Sequence, residues 1–125
     1  MRLLLDSNAL IWAYERPSEL SRPARIAIED TANERFVSMA SLWEIAVKAS
    51  IGKLSLADDL ARAVDHLALV PLSIQLEHVL RVQKLPLHHR DPFDRMMIAQ
   101  AIEEGLTIVT RDRAFRAYGV PLLAA

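Results

Sequence analysis

The sequence predicts an α/β fold, a three-layer α/β/α sandwich around a central parallel sheet. Short apolar or β-branched runs, at Leu3–Leu5, Phe36–Ser38, Leu69–Leu72, Leu106–Thr110 and Val120–Leu123, alternate with segments whose apolar residues recur at helical spacing. The runs are continuously apolar where a half-exposed strand would alternate, as expected of strands covered on both faces. Serine, aspartate, proline and glycine punctuate the helical segments at their ends. Parallel strands joined through helices require right-handed crossovers and covering layers on both sides.

The elements follow in order. Leu3–Leu5 is the first strand, with Asp6 at its C-terminal end. Ser7 or Asn8 caps a helix through Leu10, Ile11 and Tyr14 that stops before Pro17. Ser21-Arg22-Pro23 restarts helix, ending in the polar run Asp30 to Glu34, and Phe36–Ser38 is the second strand. Ser41 caps a helix to Ile51, with Gly52 just past its end. Leu42, Ile45, Ala46 and Ala49 form one face of this helix, while Trp43, Val47 and Ile51 form a second that either lies in the core or meets a partner. Asp58 or Ser55 opens the next helix through Leu60, Ala63, Val64 and Leu67. Leu69–Leu72 contains Pro71, which places that strand at an edge. Ser73 caps a helix through Leu76, Val79 and Leu80, with His78, like His66, on a helix surface. Asp91 then caps a helix with Pro92 at its first position and Gly105 as its stop. Leu106–Thr110, a short helix from Arg113 to Tyr118 and the strand Val120–Leu123 complete a single domain spanning residues 1–125.

Composition narrows the function classes. With 15 basic and 16 acidic residues the net charge is −1, so a nucleic-acid contact requires local clustering of cations. Absence of cysteine removes disulfides, thiolate metal sites and thiol nucleophiles, and fits a reducing cytoplasm. Leu3–Leu5, the apolar run before Asp6, is too short for a signal peptide, and no stretch reaches the roughly 18 apolar residues of a membrane helix.

The acids carry the chemistry. In an open parallel sheet, the loops leaving the C-terminal strand ends share one edge, where ligands collect. Asp6 leaves the first strand, Glu44 lies early in the helix after the second, and Asp112 leaves the fourth. Asp94, at the third position of its helix, joins them if the loop from Leu85 to Arg90 climbs back to that edge. Two carboxylates about 5 Å apart repel by roughly 3 kcal/mol at an effective dielectric near 20, so such a cluster must bind a cation or take up protons. Oxygen-only ligands point to Mg²⁺, with Mn²⁺ as a substitute, and phosphodiester hydrolysis suits that equipment. Arg90, Arg95, Arg111, Arg113 and Arg116 flank the acids, and Arg95 or Arg111 is placed to steady a phosphate. Ser7, Asn8 and Thr110 are further contacts. Each acid also has a bland use: Glu44 as the i,i+4 partner of Lys48, and the aspartates as helix caps. Adjacent His88 and His89 point different ways, which argues against shared chelation.

Asp6 after a first strand, Ser41-Leu42-Trp43-Glu44-Ile45, His89-Arg90-Asp91-Pro92-Phe93-Asp94-Arg95 and Thr110-Arg111-Asp112 together resemble the PIN domain, particularly VapC-type toxins of bacterial toxin–antitoxin pairs. The likeness runs over essentially the whole chain, and the ordered set of motifs is what makes it specific. It implies a PIN-like fold and a Mg²⁺-dependent ribonuclease with Asp6, Glu44, Asp94 and Asp112 at the metal site. It further implies homodimerisation, an RNA substrate and inhibition by a VapB-type antitoxin. Where relatives often carry Thr-His after the first aspartate, this chain has Ser7-Asn8. Other readings are a catalytically silent binding module of the same fold and a phosphotransferase of haloacid-dehalogenase type. The latter needs a second acid where Asn8 stands. A receiver domain needs a lysine where Arg111 follows Thr110.

Overall fold

The computed structural model describes residues 1–56 and 59–125. Strands β1 (Arg2–Leu5), β2 (Glu34–Ser38), β3 (Val70–Leu72), β4 (Thr107–Thr110) and β5 (Leu122–Ala124) form one sheet in the order β3-β2-β1-β4-β5. Every neighbouring pair is parallel. Helices α1 (Ser7–Glu15), α2 (Arg22–Glu29), α3 (Met39–Ser50), α4 (Leu60–His66), α5 (Leu76–Lys84) and α6 (Pro92–Glu104) flank it, with 3₁₀ segments at Pro17–Glu19 and Arg113–Tyr118.

The pleat of β1 divides the core. Leu3 and Leu5 pack with Leu10, Ala24, Ile28 and Ala63 of α1, α2 and α4, whereas Leu4 packs with Met97 and Ile98 of α6 and with Phe115. All three leucines are fully buried, and each such burial contributes roughly 1.5–3 kcal/mol. As expected from its proline, β3 is an edge strand. The second face of α3 meets solvent, with Trp43 and Ile51 about three-fifths exposed.

Several helix starts differ from the sequence reading, for local reasons. Asp6, ahead of Ser7 and Asn8, caps α1, its Oδ1 accepting from Ala9 N at 2.7 Å. Since β2 runs into α3 with no intervening loop, Ser38 is the cap and Ser41 is buried in the helix, its Oγ 3.6 Å from Met97 Sδ. Asp59 caps α4; Ser55 precedes the helix, and Asp58 lies outside the described residues. Helix α5 starts after Gln75, later than Ser73, because the Gln75 amide donates to His78 Nδ1 at 3.0 Å. His78 is therefore not on a surface. It is fully buried, and burial is tolerated because Nε2 meets Glu104 Oε1 at 2.9 Å, so both ring nitrogens are satisfied. His66 is exposed, its ring edge-on to Tyr14.

This strand order has one consequence for function. The chain leaves β1 toward β2 on one side, while β4 pairs on the other, so the C-terminal ends of β1 and β4 flank a topological switch point.

Candidate active site

Asp6 is the first residue beyond β1, and its amide donates to Val109 O at 3.1 Å, which ties it to β4. One carboxylate oxygen caps α1, and the Thr110 hydroxyl also hydrogen-bonds to the carboxylate. Thr110 Oγ1 in turn accepts from Asp112 N at 3.1 Å, the turn hydrogen bond that shapes the exit from β4. Glu44, early in α3 and buried, accepts from Ser7 Oγ at 2.6 Å and pairs with Lys48 Nζ at 3.2 Å. The expected i,i+4 pair is present, and the glutamate also faces the sheet edge.

The loop from Leu85 to Arg90 does return to that edge. Asp91 Oδ1 accepts from Phe93 N at 2.8 Å and Asp94 N at 3.2 Å, so capping α6 falls to Asp91. Asp94 is left to point away from the helix start, where His89 Nε2 meets its Oδ2 at 2.7 Å. The same Nε2 lies 3.6 Å from Asp112 Oδ2, while Asp112 Oδ1 caps the second 3₁₀ segment through Ala114 N at 2.9 Å. Asp6, Glu44, Asp94 and Asp112 thus line one cleft of about 180 Å³, together with Ser7, Asn8, Lys48 and Asp91.

Crowding and burial set the electrostatics. Burial raises the Asp6 pKa above the ordinary carboxylate value; the Thr110 and Ala9 hydrogen bonds oppose that, and Asp112 and Glu44 reinforce it. Asp94 is pushed up to about 6 by burial and by Asp91, with His89 pulling the other way and Glu44 adding to the rise. Both acids hold protons more tightly than free aspartate does, chiefly because they are buried, with repulsion from neighbouring acids adding to the shift.

Arg95 and Arg111, read from sequence as phosphate contacts, are committed elsewhere. The two terminal nitrogens of Arg95 donate to the carbonyls of Val82, Leu85, Pro86 and His89, and one of them also lies 3.3 Å from Tyr118 Oη. Arg111 donates to the carbonyls of Glu19 and Ala125, and its guanidinium stacks 4.1 Å above the Trp12 ring. Arg113 and Arg116 are exposed.

His89 is the residue that sequence reasoning passed over. The histidine pair does diverge, with His88 edge-on to Tyr118. That divergence is what sends His89 inward. A ligand-capable atom from each of His89, Asp94 and Asp112 lies within 4.8 Å of the others. The available signal was its position two residues before the cap of the helix that carries Asp94.

These donors fit a small hard cation. Carboxylate oxygens dominate, the cleft leaves room for water, and one imidazole is compatible with Mn²⁺ as well as Mg²⁺.

An acidic cleft at the switch point of a five-stranded parallel sheet defines a class of protein, and comparison with known proteins identifies it. The PIN domain model matches residues 3–121, and the chain belongs to the PIN domain family. Within that family it is 34% identical to ribonuclease VapC22 of Mycobacterium tuberculosis (strain ATCC 25618 / H37Rv) over 95% of this chain and 93% of that protein. Its fold is that of VapBC2 from Rickettsia felis, solved bound to a DNA fragment from their promoter (TM-score 0.73, 16% identity, 98% of both chains). FitAcB from Neisseria gonorrhoeae shares it too, with a TM-score of 0.62 and 17% identity over 98% of this chain and 96% of that one.

Proposed function

We propose that this chain is a divalent-metal-dependent endoribonuclease of the VapC type, the toxin of a VapBC-like pair acting in the cytoplasm. The observation that carries the reading is the convergence of Asp6, Glu44, Asp94 and Asp112 on one cleft, where Asp6 and Asp94 are destabilised in their charged form. Similarity to a named ribonuclease over nearly the full length supports the substrate class.

Asp6 and Asp94 are the principal ligands for Mg²⁺ in this proposal, with Glu44 and Asp112 completing the site. The ion, when bound, supplies Lewis acidity that lowers the pKa of water and offsets charge on a phosphoryl oxygen. The protein's own groups do the rest. Ser7 and Lys48 hold the Glu44 carboxylate, Thr110 orients Asp6, and His89 holds Asp94 and faces Asp112. Exposed Trp43 and Val47 on α3, Ile51 just past its end, and Leu76, Val79 and Leu80 on α5 offer apolar surface for a second copy and for a VapB-type antitoxin. No helix among the described residues is long and apolar enough to cross a membrane.

The test is cleavage of single-stranded RNA by purified protein. Activity is expected with Mg²⁺ or Mn²⁺, lost in EDTA, and reduced at least 100-fold in Asp6→Asn and Asp94→Asn, on the scale of losing a group that stabilises the transition state. Cleavage that survives both EDTA and the substitutions overturns the metal mechanism. A folded protein that binds Mn²⁺ yet never cleaves RNA is the silent binding module.

A further inference from the structure

We propose that Arg113 and Arg116 form a phosphate-anchoring subsite that grips the backbone of a single-stranded RNA next to the acidic cleft. The proposal rests on the nuclease reading above and adds to it where the strand leaves the cleft.

A second cleft, of about 400 Å³, adjoins the first and shares Asp112 as a common wall. Arg113 and Arg116 line it, over a floor that includes Leu122 and Ala124. Both arginines lie on the segment Arg113–Tyr118, which is a 3₁₀ helix. Three residues per turn bring positions i and i+3 to the same face, so both arginines leave the backbone toward this cleft. The same period turns Phe115 and Tyr118 the opposite way, where Phe115 is fully buried.

Neither the Arg113 nor the Arg116 side chain has a hydrogen-bond or ion-pair partner among the described residues, in contrast to Arg95 and Arg111, whose donors are spent on carbonyls. Two unpaired guanidinium forks in one cleft beside an acidic site match the phosphates of a strand that crosses it. No aromatic ring lines this cleft, so it lacks the aromatic platform on which successive bases stack. Contact there is with the backbone and is indifferent to sequence; base choice falls to other surfaces.

The experiment measures binding of a short fluorescein-labelled single-stranded RNA by anisotropy, in Ca²⁺ and over a range of salt, then follows cleavage on adding Mg²⁺. For the double variant Arg113→Gln/Arg116→Gln the dissociation constant should rise about tenfold or more. The slope of log K against log salt should fall by about 1.4, roughly 0.7 for each phosphate that is no longer neutralised. Arg113→Lys/Arg116→Lys should recover most of the affinity, and Arg2→Gln, at the opposite end of β1, should change neither quantity. In cleavage the double Gln variant should raise KM with little change in kcat. An unchanged slope and KM in an enzyme that cleaves with Mg²⁺ overturns the subsite and leaves the nuclease reading intact. An equal loss in Arg2→Gln overturns the subsite as well. Arginine-dependent binding without any cleavage supports the subsite and overturns the nuclease reading.

Discussion

Asp94 shows how one side chain comes to serve the site at a cost to the fold. Its carboxyl is ordinary in the unfolded chain and titrates at about 6 in the folded one, through burial and the neighbouring Asp91. Between those values the folded state binds the extra proton, so stability contributed by this group is present at low pH and declines as pH rises from about 4 to about 6. The full penalty is roughly 3 kcal/mol above that window. Asp6 shifts in the same direction. Asp94→Asn should therefore stabilise metal-free protein at pH 7.5 by about 1–3 kcal/mol in urea unfolding, a gain that shrinks toward pH 4, while abolishing cleavage. Equal stability of variant and wild type at pH 7.5 would remove the claim that the buried Asp94 carboxylate costs the fold stability. Asp6, by contrast, does two things with one group: it caps α1 and faces the cleft. The cap was legible as one of two uses of an acid at a strand end; that both are realised depends on where β4 lies.

The element that decides the site is the segment between α5 and α6. It is held by a latch of two side chains, Tyr118 from far along the chain and Arg95 from the first turns of α6. Tyr118 Oη accepts from the amides of His88 at 3.1 Å and His89 at 2.8 Å, and Arg95 gathers the carbonyls at the end of α5 and along the loop. Tyr118→Phe leaves two amides without that acceptor. It should lower stability by about 1–3 kcal/mol and weaken Mn²⁺ binding by about tenfold in titration calorimetry, with the Asp94 backbone untouched. Unchanged Mn²⁺ affinity would show that the latch does not position the site. Arg95→Lys should act in the same direction, because one ammonium cannot reach carbonyls spread over Val82 to His89. Helix α6 itself was readable, since Asp91, Pro92 and Gly105 announce its two ends, and Gly105 is in the left-handed conformation its position demands. The cap of α3 was not. Ser38 and Ser41 are chemically equal candidates, and the choice came from β2 entering the helix without a turn. Nor does sequence reveal that Arg113–Tyr118 is a 3₁₀ helix or that its two arginines share a cleft.

For the whole molecule, the order β3-β2-β1-β4-β5 places the ends of β1 and β4 side by side, and the acids after them become neighbours across more than a hundred residues of chain. Binding of an ion to that edge is linked to folding of the entire domain. At a free Mg²⁺ concentration about 100 times its dissociation constant, stability should rise by about 2.7 kcal/mol, seen as a higher melting temperature that EDTA reverses and that Asp94→Asn lacks. A melting temperature indifferent to Mg²⁺ and Mn²⁺ would count against a site built from these residues.

Local chemistry determined the alternation of strand and helix, the parallel sheet, the edge position of Pro71 and the ordered acids, because each is written in side-chain periodicity and in caps that act within a few residues. Tertiary structure alone decided that His89 turns into the cluster, that His78 is buried on Glu104, and that Arg95 and Arg111 serve the backbone while Arg113 and Arg116 remain unpaired. A side chain's partner is settled by what the rest of the chain brings within about 3 Å of it, and at that range hydrogen-bond geometry, which no local pattern encodes, selects among chemically equivalent residues.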